Sequence, residues 1–361
     1  MLPRQVISAG PLVLRPPSAE DVDAIVRTCN DPLTQRFLPL LPSPYGRQDA
    51  EAYLKSAPDQ CAEFAITRDG AYVGAIGLRA PDPHGSAEMG YLVAPWARGR
   101  DVAGTAARAV AEWALDQGLQ RVELQAEVEN VASLRVAYKA GFSEEGRRRD
   151  AKVLRDGRRA DVVTFGRVHR DSGEPAEQYL PLFPGGELSD GVVRLTPIAI
   201  EDAADYHRMM REPSVAAYSV GLEGTLEDDE RRMRSTGYWW VSGQRVELAV
   251  RDAASGAFAG HLQLAQVAPM FGQAMVGYSL VPEFRGRGFM TRAVNLLVEW
   301  AFANTALRRI VAGTDPSNLA SHKVLTRAGF SREGVQREFF PAQDGTYADD
   351  VEWLRLRPKN V

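Results

Sequence analysis

Cysteine and lysine are scarce in this chain of 361 residues. Its only cysteines are Cys29 and Cys61. Two cysteines without metal-ligand spacing make neither a disulfide framework nor a zinc site, so two buried or half-buried thiols of a reducing compartment are expected, and no metal. Lysine occurs only at 55, 139, 152, 323 and 359, and arginine supplies the rest of the 43 basic residues. Such a bias accompanies GC-rich bacterial coding. An excess of one charge is also missing: 47 acidic residues leave a net charge of −4, which gives no electrostatic reason to expect nucleic acid. No apolar run approaches the roughly 20 residues of a membrane span, and the N-terminus has no signal-peptide core. A cytoplasmic protein with no membrane partner, monomeric or homodimeric, is the expectation.

The chain does contain an internal duplication. Leu14-x-Pro16 returns as Leu195-x-Pro197, and Glu20-Asp21 as Glu201-Asp202. Further on, Gly74 matches Gly260, Gly90 matches Gly277, Gly99 matches Gly286, and Asn130 and Ser133 match Asn318 and Ser321. The separation between partners grows only in steps, as loop insertions would make it. A period this long is a doubled domain and not a solenoid. Residues 1–170 and 191–361 are the predicted domains. Residues 171–190, with Gly and Pro clusters and no periodicity, are the predicted linker, although the apolar Tyr179–Phe183 within it could dock on one of them.

Both halves read alike. Short alternating strands are followed by a helix with acids in its first turn. A hairpin follows (64–67 with 72–78, and 247–250 with 258–264), then a strand, a glycine-bearing turn, and an amphipathic helix. A further strand, a short helix stopped by Gly141 or Gly329, and a last strand complete each copy. The expected fold class is α/β (α+β layered), a twisted mixed sheet flanked by helices, present twice.

The turns are the informative part. Arg285-Gly286-Arg287-Gly288-Phe289-Met290 follows the strand 276–281, and Arg98-Gly99-Arg100-Asp101-Val102-Ala103 follows 89–93. A glycine turn opening a helix offers free N–H groups and the helix dipole to an anion such as a pyrophosphate. Asp101 replaces Gly288 in the first copy. A carboxylate there adds a Cβ and a negative charge, worth about 1–3 kcal/mol against a phosphate at a protein surface. Asp101 as a helix N-cap is the structural alternative.

Strand, Arg-Gly-x-Gly turn, helix, strand, Asn-x-x-Ser, helix and Ala-Gly-Phe, in that order and in both halves, resemble the GNAT superfamily of acyl-CoA-dependent N-acetyltransferases. The Gly-Tyr strand and Asn-x-x-Ser look like its ribosomal-protein N-terminal acetyltransferase branch. The resemblance implies two tandem GNAT-like domains and acetyl-CoA as acyl donor. It also implies a primary amine of a small molecule or peptide as acceptor. The pantetheine arm would lie where two central strands splay apart.

Transfer from a thioester to an amine needs a base for the amine, a donor for the oxyanion and a proton for the thiolate. The resemblance assigns the thiol-facing role to Ser321 (Ser133 in the first copy), and pantetheine contacts or shaping of the strand end to Asn318 and Asn130. N-capping by these residues is the competing explanation. Backbone around Leu280 and Val281 would supply the oxyanion donor, and Val93 is a cofactor-binding candidate in the first copy. A tyrosine often found four residues before the Ala-Gly-Phe glycine is absent, since Ala137 and Leu325 stand there. Glu88 is a candidate base in the first copy, where the second has Met275. Asp315, His261 and Glu247 are candidates in the second.

The acceptor pocket is expected from divergent segments. In the second copy these are Tyr238–Trp240, Phe339–Pro341 and the acidic run 227–230. The intact turn favours the second domain as the active one. Two active domains, or a non-catalytic acyl-CoA-binding regulator, are the alternatives.

Overall fold

The computed structural model describes residues 2, 5–55, 62–219, 224–341 and 345–359; Cys61 lies outside them. Two compact units divide between Glu177 and Gln178.

In the first unit β1 (Ile7–Ala9) and β2 (Leu12–Arg15) precede α1 (Val22–Cys29), α2 (Pro32–Phe37) and α3 (Arg47–Lys55). Then come β3 (Ala62–Arg68), β4 (Ala71–Leu78) and β5 (Ser86–Val93). α4 (Val102–Asp116), β6 (Arg121–Glu127), α5 (Val131–Lys139), β7 (Ser143–Val153) and β8 (Arg159–Val168) complete it. The second unit repeats the plan with β9 (Leu188–Ser189), β10 (Val193–Pro197), α6 (Ala203–Met210), α7 (Pro213–Ala216) and α8 (Leu226–Val241). It continues with β11 (Val246–Asp252), β12 (Phe258–Ala268), β13 (Gln273–Leu280), α9 (Phe289–Asn304) and β14 (Arg309–Thr314). α10 (Leu319–Arg327), β15 (Ser331–Pro341) and β16 (Tyr347–Leu356) end it.

Each unit is an eight-stranded mixed sheet, in the order β1-β2-β3-β4-β5-β6-β8-β7 and its mirror listing β15-β16-β14-β13-β12-β11-β10-β9. One pair is parallel in each sheet, β5 with β6 and β13 with β14. β13 pairs with β14 only over Gln273–Met275 against Arg309–Val311, and β5 with β6 only over Ser86–Met89 against Arg121–Leu124. Beyond those residues the strands diverge and leave a gap.

Period-two alternation decides which helices cover which face. Val246, Leu248 and Val250 point into a core with Leu297 and Val298 of α9. Ala249 points the other way, into a cluster with Tyr206 of α6 and Met233 of α8. The stretch read as a linker is folded. Gly173 packs against the Gly141 backbone, and the Ala176 N–H bonds the Tyr138 carbonyl. Leu180 and Phe183 enter the second unit's core, where the Phe183 ring meets Trp240 and Trp300 edge-on.

Candidate functional site

α9 begins at a turn that only glycine makes without strain. Gly286 and Gly288 have φ of 73° and 78°, in the left-handed region. The first amide to bond inside the helix is that of Arg292, to the Gly288 carbonyl at 3.1 Å. The amides of Phe289, Met290 and Thr291 therefore have no intrahelical acceptor and open on a cavity of about 970 Å³. Leu280, Arg285, Gly286, Gly288, Phe289, Met290, Asp315, Asn318 and Ser321 all line this cavity. Lys323 and Arg327 of α10 line it too, and among the described residues neither pairs with a carboxylate. Two anticipated members do not line it. Arg287 lies over the Phe284 and Phe289 rings, 5.2 and 4.7 Å from their centroids. Val281 spends its N–H on the Ala259 carbonyl at 2.9 Å, so it offers no oxyanion donor. Alternation turns the Leu280 N–H the other way, into the gap.

The Asn-x-x-Ser motif resolves into two separate jobs. Asn318 caps α10, its Oδ1 accepting from the Ser321 N–H at 3.1 Å. The Ser321 hydroxyl is thereby free of capping, and lies 2.8 Å from the Tyr278 hydroxyl across the gap. Asn130, Ser133 and Tyr91 repeat this, with the hydroxyls at 2.7 Å. Burial pushes both phenols above their ordinary range, and the serine bond only partly offsets it. Both therefore stay protonated near neutrality and can donate. The sequence reading missed this tyrosine, although its Gly-Tyr signature was visible in both copies.

The units differ at both ends of the gap. Asp101 takes the Gly288 position with φ of 57°, makes no side-chain cap bond, and instead binds Lys139 Nζ at 2.8 Å. The capping alternative is thus overturned: the left-handed backbone turns the carboxylate outward toward α5. Lys139 is the counterpart of Arg327. Arg98, counterpart of Arg285, is held by Asp31 at 2.5 Å and by Thr34 at 3.0 Å. Among the described residues Arg285 instead meets only neutral partners, Ser214 Oγ and the Leu280 carbonyl. Gly99, Arg100, Ala103 and Val93 surround the same turn in the first unit, with Ala103 buried. At the other end Glu127, with a side chain 1% exposed, binds Lys152 Nζ at 2.7 Å. Lys152 also donates to the Phe37 carbonyl. Their counterparts, Asp315 and Phe340, both line the second unit's cavity.

The anticipated bases are placed as follows. Glu88 lies three residues before Tyr91, hence on the opposite face of β5, and faces Arg79 at 3.6 Å. Asp315 Oδ1 accepts from the Ser317 N–H and hydroxyl at 2.7 and 2.6 Å, a turn that leads into α10. Glu247 is buried against His261 (2.7 Å), Arg232 and Arg245 (2.8 Å each). Burial alone would raise its carboxyl, but His261 and the two guanidiniums bring it down to about 2, too acidic for a proton acceptor. Of the anticipated acceptor residues, Phe340 lines the cavity, whereas Trp240 is core. Glu227 and Asp228 pair with Arg231, and Asp229 with His207.

A doubled mixed sheet with a splayed parallel pair and an anion-ready helix start defines a class of acyl-CoA-handling folds. The acetyltransferase (GNAT) domain family matches residues 11–143 and 193–331, and the chain belongs to it. It is similar to the probable N-acetyltransferase YjcK of Bacillus subtilis (strain 168), 48% identical over 65 residues, which are 18% of this chain and 36% of that protein. It is also similar to the [ribosomal protein uS5]-alanine N-acetyltransferase of Escherichia coli (strain K12), 30% identical over 81 residues, 22% of this chain and 41% of that one. These matches span less than half of either relative. A solved ribosomal-protein-S5-alanine acetyltransferase from Vibrio fischeri is 25% identical with a TM-score of 0.45, covering 48% of this chain and 97% of that one.

Proposed function

We propose that the protein is an acetyl-CoA-dependent N-acetyltransferase acting on a primary amine of a small molecule or peptide, with the second unit as its working site. The observation that carries this is the contrast at the gap. In the second unit the turn, Arg285, Lys323 and Arg327 face a cavity. In the first, Asp101–Lys139 and Glu127–Lys152 put internal ion pairs at the same positions. The residues present fit the cofactor. Three open amides and unpaired cations suit a pyrophosphate, and the gap between β13 and β14 suits a narrow arm. Acetyl-CoA supplies the activated acetyl group. The Leu280 N–H is placed to hold the carbonyl oxygen, and the Tyr278–Ser321 hydroxyl pair to hand a proton to the sulfur. Arg285, Gly286, Gly288, Phe289 and Met290 hold the phosphates, and Asn318 fixes the start of α10. The intact Tyr91–Ser133 pair favours a second reading in which both units act. Calorimetric titration with acetyl-CoA separates the two. One site per chain, lost in Gly288→Asp, is expected, and two equal sites would overturn the single-site reading. An untargeted screen for metabolites acetylated by the purified protein then names the acceptor.

A further inference from the structure

The cavity passes through the sheet. Tyr278 and Ser321 lie on its α9–α10 side, while Gly277, Ser279, Gly313 and Ala348 line the opposite side, where an amine would enter. Two residues from Ala348 on β16, and therefore on the same face, is Asp350. It is 5% exposed, and its Oδ1 has no hydrogen-bond partner among the described residues. A side chain on Gly313 would meet the carboxylate, whose oxygens stand 2.6 and 2.7 Å from an ideal Cβ there. The carboxylate thus packs against Gly313, a cavity-lining residue of β14, and stands just behind the lining itself. The first unit has Val162 at the equivalent position and Gln125 in place of Gly313. A buried acceptor atom without a donor is costly for a merely structural residue.

We propose that Asp350 is the general base of the reaction, an inference that rests on the second unit being an acetyltransferase site. Its carboxylate takes one proton from the acceptor ammonium through one water at the Gly313 wall of the cavity, because Asp350 itself stands behind that wall. The freed nitrogen lone pair forms the C–N bond as the C–S bond breaks. The thiolate takes a proton from the Tyr278–Ser321 hydroxyl pair, the second proton lost by the nitrogen restores that pair by way of solvent, and the first proton, held by Asp350, passes to solvent as the one proton released net. The groups facing Asp350 are Glu352 on its own strand, the Thr314 backbone at the end of β14, and Gln336 opposite it on β15. Burial raises its carboxyl above the usual carboxylate range, a Thr314 backbone bond partly holds it down, and the Glu352 charge adds to the rise. A carboxyl raised in this way is a stronger proton acceptor than an ordinary carboxylate.

The test uses the full chain, acetyl-CoA and two small probe nucleophiles. Propylamine is protonated at neutral pH and needs a base, whereas hydroxylamine is largely neutral and does not. Asp350→Asn is expected to slow thiol release with propylamine by about a hundredfold and to change the hydroxylamine rate little. It should also remove the acidic limb of the propylamine pH profile while acetyl-CoA affinity holds. Asp350→Val, importing the first unit's residue, should fold at least as stably and show the same selective loss. Equal losses with both probes, or no loss with propylamine, would overturn the assignment. If the unmodified protein binds acetyl-CoA but releases no thiol with either probe, the acetyltransferase reading itself fails and the assignment falls with it.

Discussion

The Ser321 hydroxyl bonds Tyr278, while Asn318 does the capping. Removing the hydroxyl therefore spares the helix start. Ser321→Ala should cost no more than about 1 kcal/mol of stability, the worth of one hydrogen bond. Turnover should fall tenfold or more while acetyl-CoA affinity stays within about twofold, because the lost contact matters when the sulfur leaves. Tyr278→Phe should mimic it. Steady-state kinetics beside acetyl-CoA titration checks this, and a matching loss of affinity would make the pair a positioning device. Among the cysteines, Cys29 is buried and its thiol is pushed up to about 11, so it is expected to resist alkylation in the folded protein.

At the scale of elements, the helix starts of α4 and α9 invite an exchange. Asp101→Gly relieves a left-handed non-glycine backbone, worth about 1 kcal/mol, and loses a half-exposed ion pair of similar or smaller worth. Stability should change by less than about 1 kcal/mol, while Lys139 becomes available to an anion. Gly288→Asp should weaken acetyl-CoA binding by about 1–3 kcal/mol, less at high salt. Titrations at two ionic strengths check both, and a salt-independent loss would point to backbone strain instead of charge. Arg232 of α8 and Arg245 just before β11 meet the Glu247–His261 pair of β11 and β12 in the second unit's interior. The folded-state carboxyl of Glu247 lies near 2 against an ordinary 4.5. A depressed carboxyl contributes stability that is full above the ordinary value and lost as pH falls through the folded one. Urea unfolding at pH 6 and pH 3 should show a larger drop for the unmodified chain than for Glu247→Gln. That variant should itself be about 3–5 kcal/mol weaker at pH 6, because it strands buried cations.

For the whole molecule, two units with separate cores should respond separately to ligand. Acetyl-CoA is expected to raise the thermal transition of the second unit and leave that of the first unchanged, since binding stabilises only the unit that binds. Differential scanning calorimetry with Gly288→Asp as control assigns the transitions. A shift of both would favour two working sites.

Much of this was legible in the residues themselves. The duplication, the strand–turn–helix at Arg285–Met290 and the Asn-x-x-Ser motifs are local patterns, and local patterns follow from backbone geometry and spacing along the chain. The composition carried the absence of long apolar runs and of a dominant charge. Tertiary structure decided what depends on partners far apart in sequence. It paired Asp101 with Lys139 and Glu127 with Lys152, joined Tyr278 to Ser321, and spent the Val281 amide on Ala259. It also buried Asp350 against Gly313. Hydrogen bonds and ion pairs act over a few ångströms, and only the folded sheet brings residues dozens of positions apart within that range.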